Sequence, residues 1–233
     1  MTLIFKDIFD IITIIASIME NLLTLIDLTP LQISFMICVG VVGLVLIFCA
    51  IFFPIRHHYI RKKFHEYYYK KIYRVAFNQD YYLINDFLFR IDDSTVMGID
   101  HILFADRYIF IINDYFYDGD LLGNADDKSL IFVNKKGNKQ YTDNPFITSE
   151  KIVSRLSMIT GIDSALMIGV VFVNNSCKCF VKSESKQFYI VQRKYFKMLI
   201  KNVESRTVGR INPVQLDSAV KAIYRLNRRK HTK

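Results

Sequence analysis

Asp100, Asp114, Asp118 and Asp120 fall within one short stretch, Gly98 to Gly123, which reads GIDHILFADRYIFIINDYFYDGDLLG. Carboxylates that converge can hold a hard divalent cation such as Mg²⁺, which takes an octahedral shell of oxygen ligands. The stretch is two apolar strands joined by a tight turn at Asp106-Arg107, with Asp100 near the start of the first. Side chains two apart on a strand share a face. Asn113 and Tyr115 therefore lie together, and Asp114 points to the opposite face unless a bulge re-aims it. Asp118 and Asp120 follow the second strand, where turn acids are ordinary. A plain role is also open to Asp100, as a sheet-edge acid bonded to a neighbouring backbone amide.

Other chemistry-bearing residues are scattered. Cys177 and Cys179 form a CxC with no second pair or nearby histidine, short of the four converging ligands that zinc wants. They fit alternate residues of one strand, kept reduced in a cytoplasm. His57-His58 lies in a basic run suited to lipid headgroups. The spacing of His65, His101 and His231 suggests no cluster, and His101 takes the strand face opposite Asp100. There is no P-loop, no Gly-rich dinucleotide turn and no HExxH.

What positions these residues divides into an apolar front and a basic remainder. Of 233 residues, 52% are apolar, and the excess lies early. Residues 1–55 carry a net charge of −3, whereas the rest carries +12. Such a split suits a membrane anchor joined to a domain facing anionic lipid or nucleic acid. Residues 31–53 hold no charge, and about 23 helical residues span a hydrocarbon core of roughly 30 Å. A single transmembrane helix is expected there, ended by Pro54. Arg56, Arg61, Lys62, Lys63, Lys70 and Lys71 follow, so the positive-inside rule puts that flank in the cytoplasm and the N-terminus outside. They are candidate contacts for phosphate or lipid, on a basic juxtamembrane helix spanning 54–78. In residues 1–28, Ile4, Ile8, Ile11, Ile15, Ile18, Leu22 and Leu25 follow a 4-3 alternation. This predicts an amphipathic helix that self-associates, lies in the interface or forms a second span.

From 79 to 227 the pattern predicts an α/β domain: a mixed sheet with flanking helices. Strands are expected over 81–90, 96–105 and 108–115, then a hairpin over 126–141. A helix should run from Asn144-Pro145 to Ile159, with Gly161 as its cap. The all-apolar run 165–173 suits a strand covered on both faces. Strands at 177–182 and 188–192 and helices at 193–203 and 213–226 follow, then a basic tail over 228–233.

Ile99-Asp100-His101, the apolar strand after it and the run closing on Tyr117-Asp118-Gly119 resemble the centre of the NERD (nuclease-related) domain. That domain belongs to the PD-(D/E)xK nuclease superfamily. The resemblance covers roughly residues 64 to 200, with Asn144-Pro145 as support, and implies a restriction-endonuclease-like fold. It also implies Mg²⁺ held by an Asp and the Glu of a Glu-x-Lys, with the Lys beside the attacked phosphate. Residue by residue, the family Asp falls at Asp100, the Glu at Asn113 and the Lys at Tyr115. Glu66 matches the acid of the family's opening helix, and Thr148 stands where a glutamine is common.

Asn113 offers a neutral oxygen and Tyr115 no positive charge, so a degenerate, non-cutting site without cofactor is expected. The implied protein is anchored in a bacterial membrane and holds DNA, through its backbone, or a DNA-processing partner, as in plasmid transfer or defence. One alternative is an active Mg²⁺ nuclease with a rearranged set at Asp100, Asp114 and Asp118. The other is an oligomeric membrane scaffold.

Overall fold

The computed structural model describes residues 13, 14, 17, 18, 29–90, 96–206 and 209–226, the side chain of His57 excepted. The expected leader helix over 1–28 and the tail over 228–233 lie outside these residues, apart from 13, 14, 17 and 18, which are helical. The chain divides into two compact units, Met1–Ile60 and Arg61–Lys233.

The first described helix, α1, is Pro30–Lys62. It is long and apolar enough to cross a membrane, and Leu31, Phe35, Val42, Leu46 and Phe53 are exposed along it. Pro54 lies inside it and does not end it as expected. A proline removes one N–H, here the partner of the Ala50 carbonyl, and bends a helix without having to stop it.

The second unit opens on α2, Phe64–Gln79, which ends where Asp80 adopts a left-handed conformation and its N–H reaches the Ala76 carbonyl. Tyr68, Ile72, Val75 and Ala76 recur at helical spacing and are buried. The helix assigned by its charges to the membrane flank is therefore built into the domain core, leaving Lys70 and Arg74 on its exposed side.

The strands are β1 Tyr82–Arg90, β2 Val96–Phe104, β3 Ile109–Tyr115, β4 Gly119–Asn124, β5 Ser129–Asn134, β6 Lys139–Asp143, β7 Met167–Val173, β8 Lys178–Lys182 and β9 Phe188–Gln192. The later helices are α3 Pro145–Thr160, α4 Phe196–Glu204 and α5 Pro213–Leu226. The main sheet has the order β1-β2-β3-β7-β9, antiparallel through β1, β2 and β3 and parallel from β3 to β9. Every residue of β7 is buried, as a central strand covered on both faces must be. Phe110, Ile112, Val170 and Phe172 face α2 and α4. Ile109, Ile111 and Met167 face α3 and α5.

The strands divide between two sheets, where the sequence pattern suggests one: the second is four-stranded, in the order β6-β5-β4-β8. It packs Leu121 and Leu130 against Val171 and Val173 at the end of β7. Asn144 ties the β4–β5 turn to α3. Its Oδ1 accepts the Phe146 N–H as the N-cap of α3, and its Nδ2 donates to the carbonyls of Ala125 and Asp127.

Gly119, where the Tyr117-Asp118-Gly119 run enters β4, allows a close backbone approach. A Cβ there would stand 2.1 Å from the Val133 carbonyl oxygen. Because that obstacle is backbone, Gly119→Ala should destabilise the domain by at least about 2 kcal/mol. Thermal unfolding followed by circular dichroism measures this, and an unchanged midpoint would contradict the packing described.

Candidate functional site

The β2–β3 ladder runs from Phe104↔Ile109 to His101↔Ile112 and stops there. The next residue of β2 is Asp100. Across the other edge of β2, the β1 register skips from Asn85↔His101 to Phe87↔Ile99, and Asp86 adopts a left-handed φ of 52°. Such backbone in a non-glycine residue is costly and concentrates at functional sites. Regular pairing thus lapses on both sides of Asp100, which frees its carboxylate to reach sideways.

That carboxylate takes the place of a ladder carbonyl. Asp100 Oδ2 accepts the backbone N–H of Asp114 at 2.7 Å. Alternation along β3 places Asp114 on the same face as Phe110 and Ile112, towards α2. Its side chain is fully buried, and Oδ2 lies 3.1 Å from His101 Nε2 and 3.3 Å from His65 Nδ1. His65 Nδ1 is also 3.7 Å from Asp100 Oδ1. His101 is held by Asn85 Oδ1 at 2.7 Å from Nδ1, and its ring lies over Tyr69. The second oxygen of Asp114, Oδ1, is buried without a hydrogen-bond partner. Two acids and two histidines from α2, β2 and β3 therefore meet around one buried carboxylate.

The expectation that the histidines form no cluster is thus corrected for His65 and His101. The missed residue, His65, had a legible signal, for it precedes Tyr68 and Ile72 by three and seven positions and so shares the inward stripe of α2. The other candidates are dispersed. Asp118 pairs with Lys135 at 2.6 Å, which removes it from the rearranged metal set. Glu66 is half exposed and pairs with Lys63 at 3.7 Å and Lys70 at 3.2 Å. Arg56, Arg61, Lys62, Lys63 and Lys70 are exposed, and Lys71 is half-buried. Cys177 and Cys179 place their sulfurs 3.6 Å apart, and among the described residues they belong to no group of three metal-ligating side chains.

The residues at the family positions do not fit the implied Mg²⁺ site. Asn113 turns its Nδ2 to the Gly98 carbonyl at 3.2 Å, and its buried Oδ1 is a neutral oxygen without a partner. Tyr115 stacks on Tyr117 with centroids 5.9 Å apart and packs beside the second sheet. Burial raises its hydroxyl pKa further, so it is neutral and offers no positive charge near Asp100.

Residues 62–174 match the family model described as Nuclease-related domain. No curated protein matches the chain. The crystal structure of a protein of unknown function, AF1548, aligns with 67% of this chain and 78% of its own. Its identity is 11% and its TM-score 0.31, a likeness too slight to carry fold or function.

The cluster's electrostatics favour protons. The hydrogen bond to Asp114 raises the His65 pKa above the ordinary 6.5, against the effect of burial, and Asp100 and Asp86 add to the rise. Burial also raises Asp100, opposed by its bond from the Asp114 amide. A raised folded-state pKa means that the His65 contribution to stability is complete below about 6.5 and is lost as pH rises through the folded value. NMR titration of the His65 ring in EDTA should give a pKa above 6.5 that falls back in Asp114→Asn; an equal value in both proteins would contradict the pairing. With its acid-bearing strand pair, opening helix and matched span, the chain carries a nuclease-related (NERD) domain over residues 62–174.

Proposed function

We propose that this is a membrane-anchored nuclease-related domain that binds without cutting, and holds DNA or a DNA-processing partner beside the cytoplasmic face of a membrane. The observation that carries the reading is the pair Asn113 and Tyr115. Phosphodiester cleavage by this superfamily, as the resemblance implies, needs a carboxylate for the metal and an ammonium beside the developing charge. Here a neutral amide and a stacked phenol stand in those places. The ion-pair partners of Asp100 and Asp114 are histidines, His65 and His101.

Anchoring rests on α1, and binding rests on the +12 balance after residue 55 together with exposed Arg61, Lys62, Lys63 and Lys70. No base-reading motif accompanies these charges. Binding should therefore be directed to the phosphate backbone and fall linearly with the logarithm of salt concentration. The competing reading, cleavage by a rearranged site, has the convergence of Asp100 and Asp114 in its favour but loses Asp118 to Lys135.

Two measurements on the detergent-solubilised chain test the proposal. Incubation with duplex and single-stranded DNA in Mg²⁺ should leave both intact; cleavage abolished by Asp100→Ala would establish the nuclease instead. Replacing Lys62 and Lys63 with alanine should weaken DNA binding severalfold at every sequence and flatten its salt dependence. Binding indifferent to both salt and these lysines would remove DNA as the ligand.

A further inference from the structure

We infer that His65, Asp100 and Asp114 form a binding site for a first-row transition-metal dication that clasps the start of α2 to the main sheet. The set differs from the family's metal ligands. It keeps Asp100 but draws its second carboxylate from the opposite face of β3 and its third donor from a helix. One oxygen or nitrogen from each residue lies within 4.8 Å of the other two. The separations from His65 Nδ1 are 3.3 Å to Asp114 Oδ2 and 3.7 Å to Asp100 Oδ1. Ligands about 2.1 Å from a tetrahedral ion stand about 3.4 Å apart, so small side-chain adjustments suffice to share one ion.

A second observation points to a missing partner. Asp114 Oδ1 has no hydrogen bond although the side chain is fully buried. A buried carboxylate is costly unless its oxygens are bonded or coordinate a cation. Oδ2, the oxygen nearest His65, also bonds to His101, which Asn85 orients in turn, so the carboxylate is held in place with Oδ1 left open beside it. The exposed edge of His65 supplies an entry path, since that side chain is 57% accessible.

The donor types select the ion. Mg²⁺ takes oxygen ligands in strict octahedral geometry, whereas an imidazole nitrogen suits Fe²⁺, Ni²⁺, Cu²⁺ or Zn²⁺, and Mn²⁺ accepts it beside carboxylates. Three protein donors leave further positions for water. Asp86, in the irregular β1 segment, adds negative field at His65. The inference stands apart from the preceding reading, which is judged by DNA cleavage, whereas this one is judged by ion occupancy.

The experiment titrates the full chain in detergent with Mn²⁺, following loss of the free-ion electron paramagnetic resonance signal. One Mn²⁺ should bind per chain and persist in a large excess of Mg²⁺. His65→Ala and Asp114→Asn should each weaken binding tenfold or more, and Mn²⁺ should raise the unfolding temperature of the native chain but not of either variant. His65→Ala changes an exposed side chain, so it keeps the test valid if Asp114→Asn misfolds. No bound Mn²⁺, affinity unchanged in His65→Ala, or ready displacement by Mg²⁺ would each overturn the site.

Discussion

The bond from the Asp114 amide to the Asp100 carboxylate is the constraint on which the site depends. Where a β ladder ends, the next N–H on each strand needs a new acceptor, because an unpaired buried amide costs about 1–3 kcal/mol. Here a side chain supplies it. That substitution keeps β3 beside β2 beyond their last paired residues and lets β3 continue its parallel pairing with β7 as far as Tyr115↔Val173. It also draws two carboxylates together, which like charges resist unless cations or protons lie close by. The histidines occupy the places that this repulsion requires.

The two faces of β3 differ in chemistry. On one, the Asn113 amide bonds to the Gly98 carbonyl and the Tyr115 ring stacks against Tyr117. The second sheet seals this end through Leu121, Leu130 and Val173. On the other face, towards α2, polar groups remain buried and partly unsatisfied. Tyr68 adds to that layer by donating its hydroxyl to the Tyr115 carbonyl. Helix and strand are joined there by polar contacts at one end and by the Ile72, Val75 and Phe110 core at the other.

Much of this architecture is written locally. Asn144, Pro145 and Gly161 mark α3 because each has one physical role at a helix end: a side-chain acceptor, a preset φ and a left-handed cap. β7 is legible from its unbroken apolar run. β4 is not, because GDLLGN lacks β-branched residues and opens on a turn signal. Its strand state comes from pairing on both edges, with the adjacent β5 and, far along the chain, with β8 through Asp120↔Lys178 to Asn124↔Lys182. The site divides in the same way. Alternation separates Asp114 from Asn113 and Tyr115, but which face gathers polar partners depends on how α2 packs. His65 was obscured because it sits among the bases of a segment whose charges suggested a membrane flank.

An ion bound by this domain should be shared by His65, Asp100 and Asp114 on the α2 face of β3, and not by Asp100 with Asn113. Anomalous diffraction from crystals of the full chain grown with Mn²⁺ tests it most directly. One peak is expected among His65, Asp100 and Asp114, with none beside Asn113. A peak coordinated by Asp100 and Asn113 alone, on the opposite face, would contradict it.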